Sequence, residues 1–206
     1  MIKKCLLTTL LFLSLSAGSV FAKVADNLNF NGYIADEANV LKEQAEENIN
    51  LTLDDLSKKT GNEIALVLLP SLEGQKIEDV SSYIYNTYKI GNDNKKNGVV
   101  LLIGMSEQQL NVYLGEYYKD RILADEVRDL VQQTFVPYFE KDDYENGVMQ
   151  GTYVIADRVA KLEKKRIKHY GISNEGFNKG WLWLILPLFG ILLGGIWFLA
   201  NNKSVK

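Results

Sequence analysis

Three aspartates, Asp36, Asp93 and Asp125, are the residues of this chain best suited to chemistry, each falling in a loop or at a helix start. Carboxylate oxygens on loops are what a hard divalent cation such as calcium prefers. Asp36 and Asp125 also stand where an N-cap aspartate would accept backbone N–H bonds, so a structural role competes for both, as it does for Asp142, Asp143 and Glu145. Around Asp93, the run Asn92-Asp93-Asn94-Lys95-Lys96-Asn97-Gly98 only partly echoes a D-x-[DN]-x-[DN]-G calcium loop, because lysines occupy two positions. A cation on Asp36 and Asp125 would be able to activate water for phosphoester hydrolysis. That chemistry also needs a cationic clamp on the phosphoryl group, and Arg121 and Arg128 are the arginines close to Asp125.

Other constellations are missing from the sequence. It holds no G-x-S-x-G elbow, no G-x-x-x-x-G-K-[ST] loop, no H-E-x-x-H and no G-x-G-x-x-G in its exported region. The single histidine, His169, falls in a basic helix end beside a linker, whereas a triad base must be buried and oriented. Cys5 is the only cysteine and lies in the N-terminal leader, so the mature chain has no disulfide, no thiol nucleophile and no cysteine metal site.

The aspartates must be positioned by the elements between them. After Asp36, the residues Leu41, Ala45, Ile49, Leu53 and Leu56 recur at helical spacing, and Gly61 stands where a C-cap glycine stops a helix. Glu63 to Pro70 is an apolar run too short for a good helix, which predicts a central strand covered on both faces. Ile77, Val80, Ile84 and Thr87 mark a second helix over Glu78 to Lys89, before the loop Ile90 to Gly98. Val99 to Ile103 reads as a second buried strand, with Gln109 to Leu114 a third, joined to it by a hairpin. Val127, Leu130, Val131 and Phe135 give a third helix ending near Pro137, and Val148, Thr152, Ile155, Val159 and Leu162 a fourth. The tail of that fourth helix, Lys161 to His169, is strongly basic: its cations either complement the carbonyl pole of the helix or meet anionic lipid head groups. The expected fold class is α/β, a three-layer α/β/α sandwich with a small mixed β-sheet.

The ends of the chain predict where such a domain resides. Met1 to Lys4 are a short basic region, Cys5 to Leu15 an apolar stretch, and Val20-Phe21-Ala22 a small-residue cleavage pattern, so residues 1–22 read as a removed signal peptide; an uncleaved anchor is the alternative. Trp181 to Ala200 is an uncharged apolar run of the length, about 20 residues, that a transmembrane helix requires. Trp181, Trp183 and Trp197 fit its interfaces. The expected order is an extracytoplasmic domain at 23–170, a short flexible linker at 171–180, one C-terminal transmembrane helix at 181–200 and a cytoplasmic tail at 201–206. The domain then faces the periplasm or cell exterior from the cytoplasmic membrane. The formal charge is −3 and becomes more negative once Lys3 and Lys4 leave with the signal, which argues against nucleic acid and suits cations.

A succession of segments resembles one known family. Ile34-Ala35-Asp36-Glu37-Ala38-Asn39-Val40-Leu41, Thr60-Gly61-Asn62-Glu63-Ile64, Lys89-Ile90-Gly91 with Asn97-Gly98-Val99-Val100-Leu101-Leu102, Ile122-Leu123-Ala124-Asp125, and Pro137-Tyr138-Phe139 with Asp143-Tyr144-Glu145-Asn146-Gly147 follow in the order and spacing of the TPM domain family, from Phe30 to Val159. The resemblance implies an exported α/β/α sandwich, often followed by one membrane helix. It also implies relatives that assist membrane complexes, members that bind calcium or other divalent ions through loop carboxylates, and plant members described as acid phosphatases. Asp36 and Asp125 match the acidic positions of the family pattern, and Asp93 matches by its loop. Where members carry a G-Y-G-L-E stretch, this chain has Gly115-Glu116-Tyr117-Tyr118-Lys119-Asp120 and an extra residue before Asp125.

The function expected from the sequence is a membrane-tethered binding or accessory module for a membrane-protein partner, with a bound divalent cation such as Ca2+. A metal-dependent phosphatase is the alternative, and the expectation leans away from an enzyme.

Overall fold

The computed structural model describes residues 23–122 and 124–171. The expected signal segment, the expected linker beyond Gly171 and the apolar run at 181–200 lie outside the described residues, among which no helix is long and apolar enough to cross a membrane.

Four strands, β1 (Ile34–Asp36), β2 (Glu63–Leu69), β3 (Gly98–Gly104) and β4 (Gln109–Leu114), form one sheet in the order β1-β2-β3-β4. β1, β2 and β3 are parallel, and β4 is antiparallel to β3. The sequence predicts three of these strands and misses β1. Three residues are too few to show an alternation, and β1 is a strand only because Ile34, Ala35 and Asp36 pair with Leu66, Val67 and Leu68. β2 is internal, as its apolar run requires.

Successive strand residues point to opposite faces. Ala35, Ala65, Val67, Leu69, Val100 and Leu102 share one cluster with Ile77, Val80 and Ile84 of helix α2 (Ile77–Thr87). The alternate residues Ile34, Leu66, Leu68, Leu101 and Ile103 are fully buried on the other face. There helix α1 (Glu43–Thr60) buries Ile49, Leu53 and Leu56 and packs beside helix α5 (Tyr144–Leu162). Each such aliphatic side chain contributes about 1.5–3 kcal/mol by leaving water. The result is a mixed α/β fold with a small four-stranded sheet and helices on both faces. Gly61 ends α1 in the left-handed region at φ 69°, its N–H donating to Ser57 O, as the sequence predicts.

Helix α3 (Ala124–Thr134) gives way at Phe135 to the short α4 (Val136–Phe139), with Pro137 in its first turn. One expectation is corrected at the end of α5. The basic segment is not a helix tail: the helix stops at Leu162, Lys164 takes φ 52°, and the Lys165 N–H reaches back to Ala160 O. This closing bond satisfies a terminal carbonyl and turns the chain away from the helix axis.

Candidate functional site at the N-terminal edge of the sheet

The strands β2 and β3 begin side by side, Glu63 opposite Gly98, and three loops converge there. They are Gly61–Asn62, Ile90–Asn97 and the turn Glu116–Tyr118. Asn97 ties them together: its Nδ2 donates to Gly61 O and to Asn62 Oδ1, both at 2.7 Å, and its Oδ1 accepts the Asn92 N–H at 3.0 Å. The Asn97 carbonyl accepts the buried Tyr118 hydroxyl at 2.8 Å. Burial pushes the Tyr118 phenol far above its ordinary value, so it stays a donor. Asn62 and Asn97 are each only 1% exposed, and neutral amides tolerate such burial when paired. Asn62 Nδ2 is the one atom of this lock without a protein acceptor.

The backbones also touch. A Cβ on Gly98 would overlap the Ile90 carbonyl, and one on Gly91, held at φ 91°, would overlap the Gly98 amide. Only glycine permits this approach. Within the loop, Asn92 Oδ1 accepts from the N–H groups of Asn94 and Lys95, and Gly91 N donates to Glu63 Oε2 at 3.2 Å.

The fixed loop leaves a cavity of about 240 Å³ between α2 and β4. Lys89, Asp93, Lys96 and Glu116 supply charge, and Tyr85 and Tyr113 pack ring to ring at 5.0 Å. Lys96 reaches Glu116 at 3.5 Å, while Lys89 has no carboxylate partner among the described residues. Burial, then the neighbouring Tyr113, raises the Tyr85 phenol, which is therefore a hydrogen-bond donor at neutral pH and not a base. The arrangement offers cations, carboxylates and aromatic faces to a small polar ligand. Of its charged residues the sequence points to Asp93 alone; α2 and β4 bring Lys89 and Glu116 together from distant positions, and no local spacing signals that.

Asp36 lies elsewhere. It closes β1 at the C-terminal edge, level with Leu68 of β2 and hence with Ile103 of β3, about 17 Å along the strand from Gly98. Its two oxygens accept the N–H groups of Ala38 at 3.2 Å and Leu41 at 2.8 Å. It braces a loop rather than capping α1, which starts at Glu43 after Lys42. On the same edge Glu107 accepts from Ser71 Oγ at 2.7 Å and from Leu72 N at 3.0 Å. Asp36 and Asp93 are thus at opposite ends of the sheet and do not fit one shared ion. Asp125 is the second residue of α3, and its side chain, like that of Arg128, lies outside the described residues. Among the described residues no three carboxylate, imidazole or thiol groups converge as a metal centre. Arg121 is held over the Tyr117 ring, 4.1 Å from its centroid, and donates to the Tyr117 hydroxyl. His169 stacks on Tyr153 and reaches Asp157 at 3.1 Å.

A family model described as the TPM domain matches residues 34–158. No curated protein matches the chain. Among solved structures it is similar to the N-terminal domain of a protein from P. gingivalis, at 21% identity and a TM-score of 0.60 over 72% of this chain and 90% of that one. It is also similar to the BA42 protein of the psychrophilic bacterium Bizionia argentinensis, at 19% identity and a TM-score of 0.52 over 61% of this chain and 86% of that one. Both likenesses are likenesses of fold.

Proposed function

Because the chain belongs to the TPM domain family, we propose that it is a membrane-tethered extracytoplasmic binding module: a three-layer α/β/α domain, carried by one C-terminal membrane helix, that assists assembly or maintenance of a membrane protein complex. The observation that carries this reading is the cavity at the N-terminal edge. Its four charged side chains stand on loops that neutral amides hold rigid, which is recognition chemistry, with the Tyr85 phenol keeping its proton and, among the described residues, no nucleophile set against a base. The apolar run at 181–200 supplies the tether, and a tethered domain meets membrane-bound partners at raised effective concentration.

A divalent cation belongs, in this reading, to the N-terminal edge. Asp93 lies there, and Asp125, which matches an acidic position of the family pattern, is its candidate co-ligand by sequence alone. Such an ion would offset the carboxylates.

The experiment is protease treatment of intact spheroplasts, with pull-down of the solubilised protein. The domain should be digested, and a membrane protein should co-purify in a manner lost on Lys89→Glu with Lys96→Glu. A protected full-length domain overturns the topology, and co-purification indifferent to that variant overturns the role of the cavity.

A further inference from the structure

The chain beyond α5 is strapped to the body of the domain by a set of bonds that leave its cations outward. The Arg166 carbonyl accepts from Lys59 Nζ at 3.0 Å, the Lys168 N–H donates to Asp55 Oδ2 at 2.8 Å, and the Tyr170 N–H donates to Thr52 Oγ1 at 3.3 Å. The Tyr153 hydroxyl closes the strap on the Tyr170 carbonyl, and the His169 ring lies flat on Tyr153. Asp55 and Lys59 are themselves paired at 2.7 Å, so the strap rests on an ion pair already satisfied.

Lys161, Lys164, Lys165 and Arg166 are exposed around a groove of about 570 Å³, and none has a carboxylate partner among the described residues. The one acid in its lining, Asp157, is taken by His169. Half-buried Ile167 adds an apolar contact. In a chain whose formal charge is negative, four unneutralised cations on one rim form a local anion site with a sign opposite to the whole.

We propose that this groove binds the head groups of anionic phospholipids at the membrane that anchors the protein. The proposal rests on the tethered reading above. Nine residues separate the end of the strap, Gly171, from Trp181, a stretch that spans at most about 35 Å. The groove therefore never leaves the neighbourhood of the bilayer, where a phosphate-bearing surface outcompetes a free anion. Each cation close to an anionic surface strengthens binding on the order of fivefold.

The test reconstitutes the full mature chain in phosphatidylcholine vesicles, and in vesicles with roughly 30% phosphatidylglycerol. Amine labelling is then read at Lys161 and Lys165, with exposed Lys76 at the start of α2 as reference. Labelling at Lys161 and Lys165 should fall on the order of fivefold in the anionic vesicles, return at about 0.5 M salt, and leave Lys76 unchanged. Lys164→Gln with Arg166→Gln should abolish the protection; both side chains are exposed, so the fold survives. Equal labelling in the two vesicle types overturns the proposal. So does equal protection by inorganic phosphate with phosphatidylcholine alone, which would make the groove a site for soluble anions. Flotation separates the two readings. A chain that floats with phosphatidylcholine vesicles sustains the tether whatever the groove does. One that floats only with anionic vesicles, reversibly with salt, sustains the groove and sinks the tether.

Discussion

At the C-terminal edge of the sheet two carboxylates brace the loops, and at the N-terminal edge buried neutral amides do, with one bond from Gly91 to Glu63 beside them. Asp36 and Glu107 accept backbone N–H bonds while remaining only half-buried, since a charge taken fully from water would cost more than those bonds return. At 1% exposure Asn97 accepts the Asn92 N–H and donates to the Asn62 amide, because an amide loses less on burial. The difference decides which edge has side chains free to recognise something. The acids of the first edge are engaged by their own backbone. The amide lock of the second fixes its loops from within and leaves Lys89, Asp93, Lys96 and Glu116 facing a cavity.

The sharpest way to break the comparison is Asn97→Ala. It removes three hydrogen bonds and leaves Asn62 Oδ1 buried without a donor, at about 1 kcal/mol per bond a loss of roughly 3 kcal/mol. Urea denaturation of the domain should report it as a lowered midpoint with an unchanged slope. A loss below about 1 kcal/mol would mean that the amides do not hold this edge.

Glu107→Ala should cost less, about 1–2 kcal/mol at neutral pH, because the charge-assisted bonds it removes lie near solvent. Its pH dependence carries a sign. The Ser71 hydroxyl, helped by the Leu72 N–H, holds the Glu107 carboxyl below its ordinary value. The stabilisation is therefore complete above the unfolded carboxylate value of about 4.3 and is lost as pH falls through the lower folded value. Wild type and variant should differ by a constant amount from neutral pH to about pH 5 and converge in stronger acid. A gap that widens on acidification would contradict the brace.

This contrast between edges also marks how far the sequence can be read. Helical periodicity and apolar runs place α1, α2, α5 and strands β2 and β3, because each buries a continuous stripe or face, and β4 follows from its short connection to β3. β1 escapes notice because its three residues gain their identity from β2, not from any pattern of their own. The amide lock is invisible for a related reason: Asn62 and Asn97 are separated by a helix and a strand, and nothing local distinguishes them from ordinary loop asparagines. Asp36 reads as a backbone acceptor or a ligand, and its two bonds to Ala38 and Leu41 show the acceptor. The basic run after Lys161 reads as a helix end, although a left-handed residue at Lys164 stops the helix and the strap depends on partners in α1.

Calcium sharpens the comparison with a smaller effect. In a titration of the domain followed residue by residue by NMR, amides around Asp93 and Asp125 should shift at millimolar calcium, while those of Asp36 to Leu41 stay in place. Asp93→Asn should weaken the response severalfold, and Asp36→Asn should leave it intact. Shifts confined to Asp36 would move the ion to the opposite edge and remove the distinction between a braced end and a recognising end.

The smallest effect expected is on phosphoester hydrolysis, where the domain should show no efficient turnover. Phosphoryl transfer requires positive charge aimed at the transferred group together with an activated nucleophile. In the cavity the two lysines come with two carboxylates, one of them already in contact with Lys96, so the net field on a phosphoryl group is small. Arg121, close in sequence to Glu116, is engaged with Tyr117 and does not line the cavity. Slow hydrolysis of an activated ester would not count as turnover, since a bound cation alone supplies that much Lewis acidity. The assay compares wild type with Asp36→Asn, Asp93→Asn and Asp125→Asn on a natural phosphoester in the presence of calcium or magnesium. Turnover near the enzyme median of about 10 per second, abolished by Asp93→Asn or Asp125→Asn in a protein that still folds, would make the N-terminal edge catalytic. The same loss with Asp36→Asn alone would place the chemistry at the edge whose carboxylates serve the backbone, and the division of labour between the two ends of the sheet would fail.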